Sequence, residues 1–176
     1  CVSESAIESI PSLPRMEELP SAEVSDAALL SQLAMIRPNG GLGTGMGLER
    51  AKSLMVVKGS ESFLDFIAKQ VLQLRERTGK STPEFHLMNS VTTRPDTLAY
   101  LRRYPTLPTE GTLDFLQYQA PKLEAETLEP IRWPKEPVLE WCPQGHGDIY
   151  PSMEAAGLID QMLRRGIRFL FLSNAD

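Results

Sequence analysis

The 176-residue chain is poor in the residues that usually advertise chemistry: two cysteines, Cys1 and Cys142, and two histidines, His86 and His146. Two cysteines at no framework spacing do not staple a small secreted fold, so free thiols are expected. Zinc is equally hard to accommodate. Cys142 and His146 make half a site, and the only further candidates are a terminal Cys1 and the distant His86. No apolar run approaches the roughly 18 residues of a membrane span, and no charged segment with an apolar stretch behind it marks a leader. An excess of positive charge is missing too. Lys and Arg number 18 against 23 Asp and Glu, a net charge of -5 with the signs interspersed, so neither a nucleic acid nor a membrane is expected as partner. A small phosphate ligand survives this exclusion, because one local cluster of donors can hold it on an acidic protein. With 41% apolar residues the chain can bury a core, and a cytoplasmic globular domain is the expectation. The chain starts with cysteine and stops directly after an apolar run, as a piece of a longer protein would.

Residues 1–24 hold Pro11, Pro14 and Pro20 among acids and serines and read as an irregular or short-helical lead-in. The domain proper is expected over 25–176. Ser25 or Asp26 can cap a short helix through about Leu33, and "LAMIR" then reads as a buried strand running into glycines. Ser62 with Asp65 forms a capping signal for a helix whose apolar face carries Phe63, Phe66, Ile67, Val71 and Leu74 and which stops at Gly79. "FHLMNS" is a second strand, Pro95 opens a helix with Leu98 and Leu101, and "TLDFLQ" is a third strand. Residues 118–150, rich in proline and carrying both tryptophans, read as a long ordered excursion over one edge of the sheet. One helix from Pro151 through Leu163, ended by Gly166, precedes "IRFLFLS", the run that looks most like a buried strand. Met46, Met88, Trp133, Trp141 and the face near Phe66 are read as core. The alternation implies an α/β fold: a mostly parallel, Rossmann-like sheet with helices on both faces and a ligand at the carboxyl ends of the strands.

Five glycines fall within the ten positions that start at Gly40, in "NGGLGTGMGLERAKS", and an isolated Lys52 follows. Glycines after a strand can take positive φ and bring bare amides close to a phosphate or a base. The spacing fits neither general phosphate motif: Leu48 occupies the last glycine position of G-x-G-x-x-G, and no glycine precedes Lys52 as a Walker loop requires. Gln117, at a strand end, can offer donor and acceptor together, and "GHGD" frees backbone around His146.

These residues carry a closer likeness. "NGGLGTGMG" followed by "AKS" resembles the nucleotide-binding loop of the UDP-glucose pyrophosphorylases, and "SFLDFIAKQ", "LMNS", "DFLQ", "EWCPQGHGDIY", "AGLID" and "FLSNAD" follow in the family's order. The likeness runs from about Asn39 to Asp176 and covers roughly the first half of the family's catalytic domain. It implies a magnesium-dependent nucleotidyltransferase (UTP–glucose-1-phosphate uridylyltransferase) that joins UTP and glucose 1-phosphate into UDP-glucose and releases pyrophosphate. It implies that Asn39, Gly40, Gly41, Leu42, Gly43, Thr44, Gly45, Gln117 and Gly145 hold the nucleotide, with Lys52 as the catalytic cation. His146, Gly147 and Asn174 would serve the sugar phosphate, and Asp176 would hold Mg²⁺. The family's C-terminal β-helical domain is often used in assembly, so a homo-oligomer is compatible. Two features separate this chain from neighbouring patterns. Pro38 stands where the family usually has leucine, which removes one main-chain donor. Gly45 stands where the UDP-N-acetylhexosamine pyrophosphorylases carry an arginine, which counts against that relative. A nucleotide-binding fragment without turnover is the alternative reading, and residues 1–176 alone are expected to be inactive.

Overall fold

The protein is described by a computed structural model over residues 3–6, 8–10, 12–18, 27–48, 50–109 and 111–175. The candidate caps Ser25 and Asp26, and the candidate metal ligand Asp176, lie outside the described residues. In chain order come α1 (Ala27–Leu30), β1 (Leu33–Asn39), β2 (Val56–Lys58), β3 (Glu61–Ser62), α2 (Phe63–Thr78), β4 (Glu84–Asn89), α3 (Arg94–Leu101) and β5 (Asp114–Leu116). They are followed by β6 (Gln119–Pro121), β7 (Trp141–Pro143), α4 (Ile149–Ala155), α5 (Leu158–Arg164) and β8 (Phe169–Leu172). A four-stranded sheet in the order β5-β4-β1-β8 is parallel throughout, with Met35 opposite Phe85 on one side and Phe171 on the other.

Alternation along the two central strands divides the core. Met35, Phe85 and Leu87 pack with Leu64, Ala68 and Val71 of α2 on one face, while Ala34, Ile36 and Met88 pack with Met153, Leu158 and Met162 of α4 and α5 on the other. Both faces of the sheet are thus covered, and β4 is buried at every position. Ser62 and Asp65 form the capping box of α2, and Gly79 closes it in the left-handed conformation at φ 64°. The buried stripe of α2 is Leu64, Ile67, Ala68 and Val71, and Phe66 faces out at 41% exposure. Of the expected core face, Ile67 and Val71 are buried and Leu74 packs against the core, whereas Phe66 does not join it.

Three further expectations need correction. The helix after Pro151 is two helices, because Gly157 takes φ 63° and turns the chain between α4 and α5. "IRFLFLS" does form a strand, but at the sheet edge: Phe169, Leu170 and Phe171 are exposed, since among the described residues no strand lies beyond β8. Met46, Trp133 and Trp141 are also about half exposed, whereas Met88 is fully buried as expected. The tryptophans sit in the excursion, which is a hairpin arm. β6 pairs antiparallel with β7, and the amide of Gln144 donates to the carbonyl of Tyr118 at its base. The arm therefore returns to where it left the sheet, and this places Gln117 near the "GHGD" segment.

At the amino ends of the strands, far along β4 from the glycines, Glu84 is buried between Arg165 and His86. Arg165 donates to both carboxylate oxygens at 2.6 and 2.8 Å, and His86 Nε2 lies 3.1 Å from one of them. Burial pushes the Glu84 carboxyl up, but these bonds and charges more than offset it and hold it down at about 2.

Candidate active site

The carboxyl end of the sheet is organised by asparagine. Asn39, last in β1, spends its whole side chain inside the protein: Nδ2 donates to Asn89 Oδ1 at 2.8 Å and to Thr97 Oγ1 at 3.0 Å, and Oδ1 accepts from Ser53 Oγ at 2.5 Å. Asn89 continues the network to Asp114, which Arg94 holds at 2.7 Å. These buried polar groups tie the ends of β1, β4 and β5 to α3 and to the far side of the glycine loop. What Asn39 brings to a ligand is thus the position of the chain rather than a free amide.

The loop is closed from within. Leu42 and Ala51 form an isolated antiparallel bridge, and the Lys52 amide donates to the Gly41 carbonyl at 3.2 Å. The Gly43 amide is taken by the Arg50 carbonyl at 3.4 Å, so this amide serves the loop itself. Thr44, Gly45 and Met46 make a 3₁₀ turn. The "AKS" segment can then be read residue by residue: Ala51 is buried in the bridge, Ser53 hooks Asn39, and Lys52 between them lies beside Gly41. Positive φ in this loop occurs at Gly47, and not at Gly40, Gly41, Gly43 or Gly45. Gly40 is required for a different reason. A Cβ there would stand 2.5 Å from Gln117 Nε2, so the buried Gln117 amide packs directly on the bare backbone.

A cavity of about 260 Å³ opens at this end, lined by Pro38, Asn39, Gly41, Lys52, Ser53, His146, Asn174 and Ala175. It gathers side chains and backbone from the end of β1, the return of the glycine loop, the "GHGD" turn and the segment after β8. A recess of about 300 Å³ shares Pro38, His146 and Asn174 with it and adds Gly147, Tyr150 and Ser173. Of the residues singled out in the sequence, Asn39, Gly41, Lys52, His146, Gly147 and Asn174 meet here. Gly40 and Gln117 form a neighbouring contact, and Gly145 takes φ 99° to deliver His146. Leu42, Gly43 and Gly45 do not line either cavity. A larger cavity, about 350 Å³ between Arg50, Leu54 and Tyr100, holds none of the candidate site residues.

Other residues position this site. Asp148 Oδ2 accepts from the Tyr118 amide and the Ser152 hydroxyl, both at 2.6 Å, and so clamps the arm's base to α4. Arg37 is buried and reaches Asn174. Asn89 stands in the "LMNS" block, at the carboxyl end of β4. No group of three or more His, Cys, Asp or Glu that could hold a metal occurs among the described residues. Magnesium does not need one, since it keeps several waters and takes one or two carboxylates together with substrate phosphates.

The family model described as UTP–glucose-1-phosphate uridylyltransferase matches residues 2–176, which extends the likeness into the lead-in. The uridylyltransferase of Solanum tuberosum is 37% identical over 152 residues, covering 84% of this chain and 31% of the relative. A probable uridylyltransferase of Schizosaccharomyces pombe is 36% identical, covering 84% of this chain and 29% of the relative. The chain thus spans about three-tenths of the length of these relatives. A mutant UDP-glucose pyrophosphorylase from Leishmania major, solved with UDP-glucose, superposes with a TM-score of 0.87 at 40% identity, over 98% of this chain and 36% of that one. A protein from Trypanosoma brucei described as UDP-glucose phosphorylase superposes at 0.89 and 38% identity, over 98% and 37%. Motifs, fold and these likenesses agree, and the chain belongs to the UTP–glucose-1-phosphate uridylyltransferase family.

Proposed function

We propose that residues 1–176 form the nucleotide-binding part of an enzyme that makes UDP-glucose and pyrophosphate from UTP and glucose 1-phosphate. The observation that carries this reading is the cavity in which Gly41, Lys52, His146 and Asn174 converge from separate stretches of chain. In the reaction an oxygen of the sugar phosphate attacks the α-phosphorus of UTP, and pyrophosphate leaves. The nucleophile is already an anion, so the protein's task is positioning and charge stabilisation, and a catalytic triad is unnecessary. The glycine-loop backbone admits the triphosphate without side chains in the way, and Lys52 sets a cation against it. Gln117, seated on Gly40, offers its amide edge to the base. His146, through a ring N–H, and Asn174 serve the sugar phosphate. Asp176, next in sequence to the cavity-lining Ala175, would hold Mg²⁺, which on binding offsets phosphate charge.

The test is pyrophosphate release from UTP plus glucose 1-phosphate by the whole protein that contains this chain, with other nucleoside triphosphates and sugar phosphates as comparison. Release that requires both substrates supports the reading. UTP binding without turnover in the whole protein would leave only a nucleotide-binding module.

A further inference from the structure

Arg37 is the penultimate-but-one residue of β1, and its guanidinium is buried with no carboxylate partner among the described residues. Its partners are neutral: NH1 donates to the Asn174 carbonyl at 3.0 Å, NH2 reaches Gln70 Oε1 at 3.5 Å, and the group lies 5.4 Å from the centre of the Phe171 ring. Nε is buried and makes no hydrogen bond. A buried cation held by neutral groups is a poor stabilising device, because taking the charge out of water costs more than such contacts return. Its placement suggests what it does instead. The ladder between β1 and β8 ends at Ile36 opposite Leu172, with one further backbone bond from the Ser173 amide to the Ile36 carbonyl at 3.4 Å. Beyond that point the chain leaves the sheet, and Asn174 and Ala175 form a wall of the cavity. The Arg37 bond to the Asn174 carbonyl ties this wall to β1.

We propose that Arg37 is a positioning residue: on the reading of the cavity as the sugar-nucleotide site, it fixes the Ser173–Ala175 segment so that Asn174 meets the sugar-phosphate half of the ligand. The glycine loop has its own ties to Asn39 and Gly41 and does not depend on Arg37. Loss of the anchor therefore weakens a ligand that reaches Asn174 more than one that stops at the loop. UDP-glucose reaches it, and UTP occupies mainly the loop side.

The experiment measures UTP and UDP-glucose affinity by calorimetry in the whole protein, as wild type, Arg37→Met and Arg37→Lys. Methionine fills similar space without the charge, so the fold is retained or stabilised, as a thermal scan reads directly. The expected result for Arg37→Met is about tenfold weaker UDP-glucose binding, the size of one lost charge-assisted bond, with UTP affinity within about twofold. Arg37→Lys keeps a cation and one donor, and its UDP-glucose affinity should recover to within about threefold of wild type. Unchanged UDP-glucose affinity in Arg37→Met overturns the assignment. So does an Arg37→Lys protein that loses UTP and UDP-glucose equally, and that ratio decides the matter should Arg37→Met not fold. A wild-type protein that binds neither ligand instead removes the uridylyltransferase reading on which the assignment stands.

Discussion

Ser53 donates its hydroxyl to the side-chain carbonyl of Asn39 at 2.5 Å, and this bond joins the two ends of the glycine loop. It is the sole hydrogen bond to that oxygen among the described residues, and both residues are buried. Ser53→Ala therefore leaves a buried acceptor unsatisfied. The expected cost is about 1–3 kcal/mol, read as a lowered thermal midpoint, together with weaker UTP binding because Lys52 adjoins the broken tie. A variant as stable as wild type would show that water replaces the hydroxyl at no cost.

Lys52 lines the cavity beside Gly41, and its backbone amide donates to the Gly41 carbonyl. Lys52→Ala keeps the amide. Turnover in the whole protein should fall by about 10²-fold or more while the thermal midpoint moves little, as for loss of one charge-stabilising contact. Near-normal turnover would take Lys52 out of the mechanism.

Gly40 and Gln117 are coupled by space. Gly40→Ala puts a methyl group 2.5 Å from the Gln117 amide and must displace it. The single variant should lose preference for UTP over other triphosphates, as Gln117→Ala does by removing the amide outright. Combined, the two should be less than additive, because Gln117→Ala vacates the space that the methyl needs. Strict additivity in a double-mutant cycle would mean that the two residues act apart.

Glu84 gives the acid limb of stability. Its folded carboxyl titrates at about 2, below the roughly 4.3 of an unfolded glutamate, so its contribution is complete above about pH 4.3 and is lost as pH falls toward 2. Asp65 behaves alike. Burial raises it, but bonds from Tyr100, Tyr104 and Ser62 outweigh that and hold it at about 2. Glu84→Gln should be less stable at neutral pH by about 3–5 kcal/mol, since the charges around it lose their partner, and should lose less on acidification than wild type. Parallel pH curves for the two proteins, by denaturant titration from pH 6 to 2.5, would contradict this.

The interior of the fold was legible because its signals are local. Ser62, Asp65 and Gly79 mark the ends of α2 by chemistry that acts within a turn, and "FHLM", apolar but for His86, is buried at every position between two covered faces. The misreadings share another cause. "IRFLFLS" has the composition of a central strand, but whether a strand lies beyond it is set by the rest of the sheet. Gly157 breaks a helix across which apolar spacing continues, so the periodicity hides the turn. Trp133 and Trp141 look like core by type and are carried outward on a hairpin whose pairing joins residues about twenty apart.

In the site, sequence patterns located the groups that would touch a ligand but not those that hold them. Lys52, His146 and Asn174 stand in motifs. Arg37 reaches Asn174, and Asp148 reaches Tyr118, over separations that no short pattern spans.

Amide chemical-shift mapping of the labelled chain during titration with UDP-glucose tests the central claim most directly, because two cavities border the same loop. The account predicts shifts with one shared affinity at Gly41, Lys52, His146, Gly147 and Asn174, and small changes at Leu54 and Tyr100. Shifts centred on Arg50, Leu54 and Tyr100, with Lys52 and Asn174 unmoved, would place the ligand in the other cavity and contradict it.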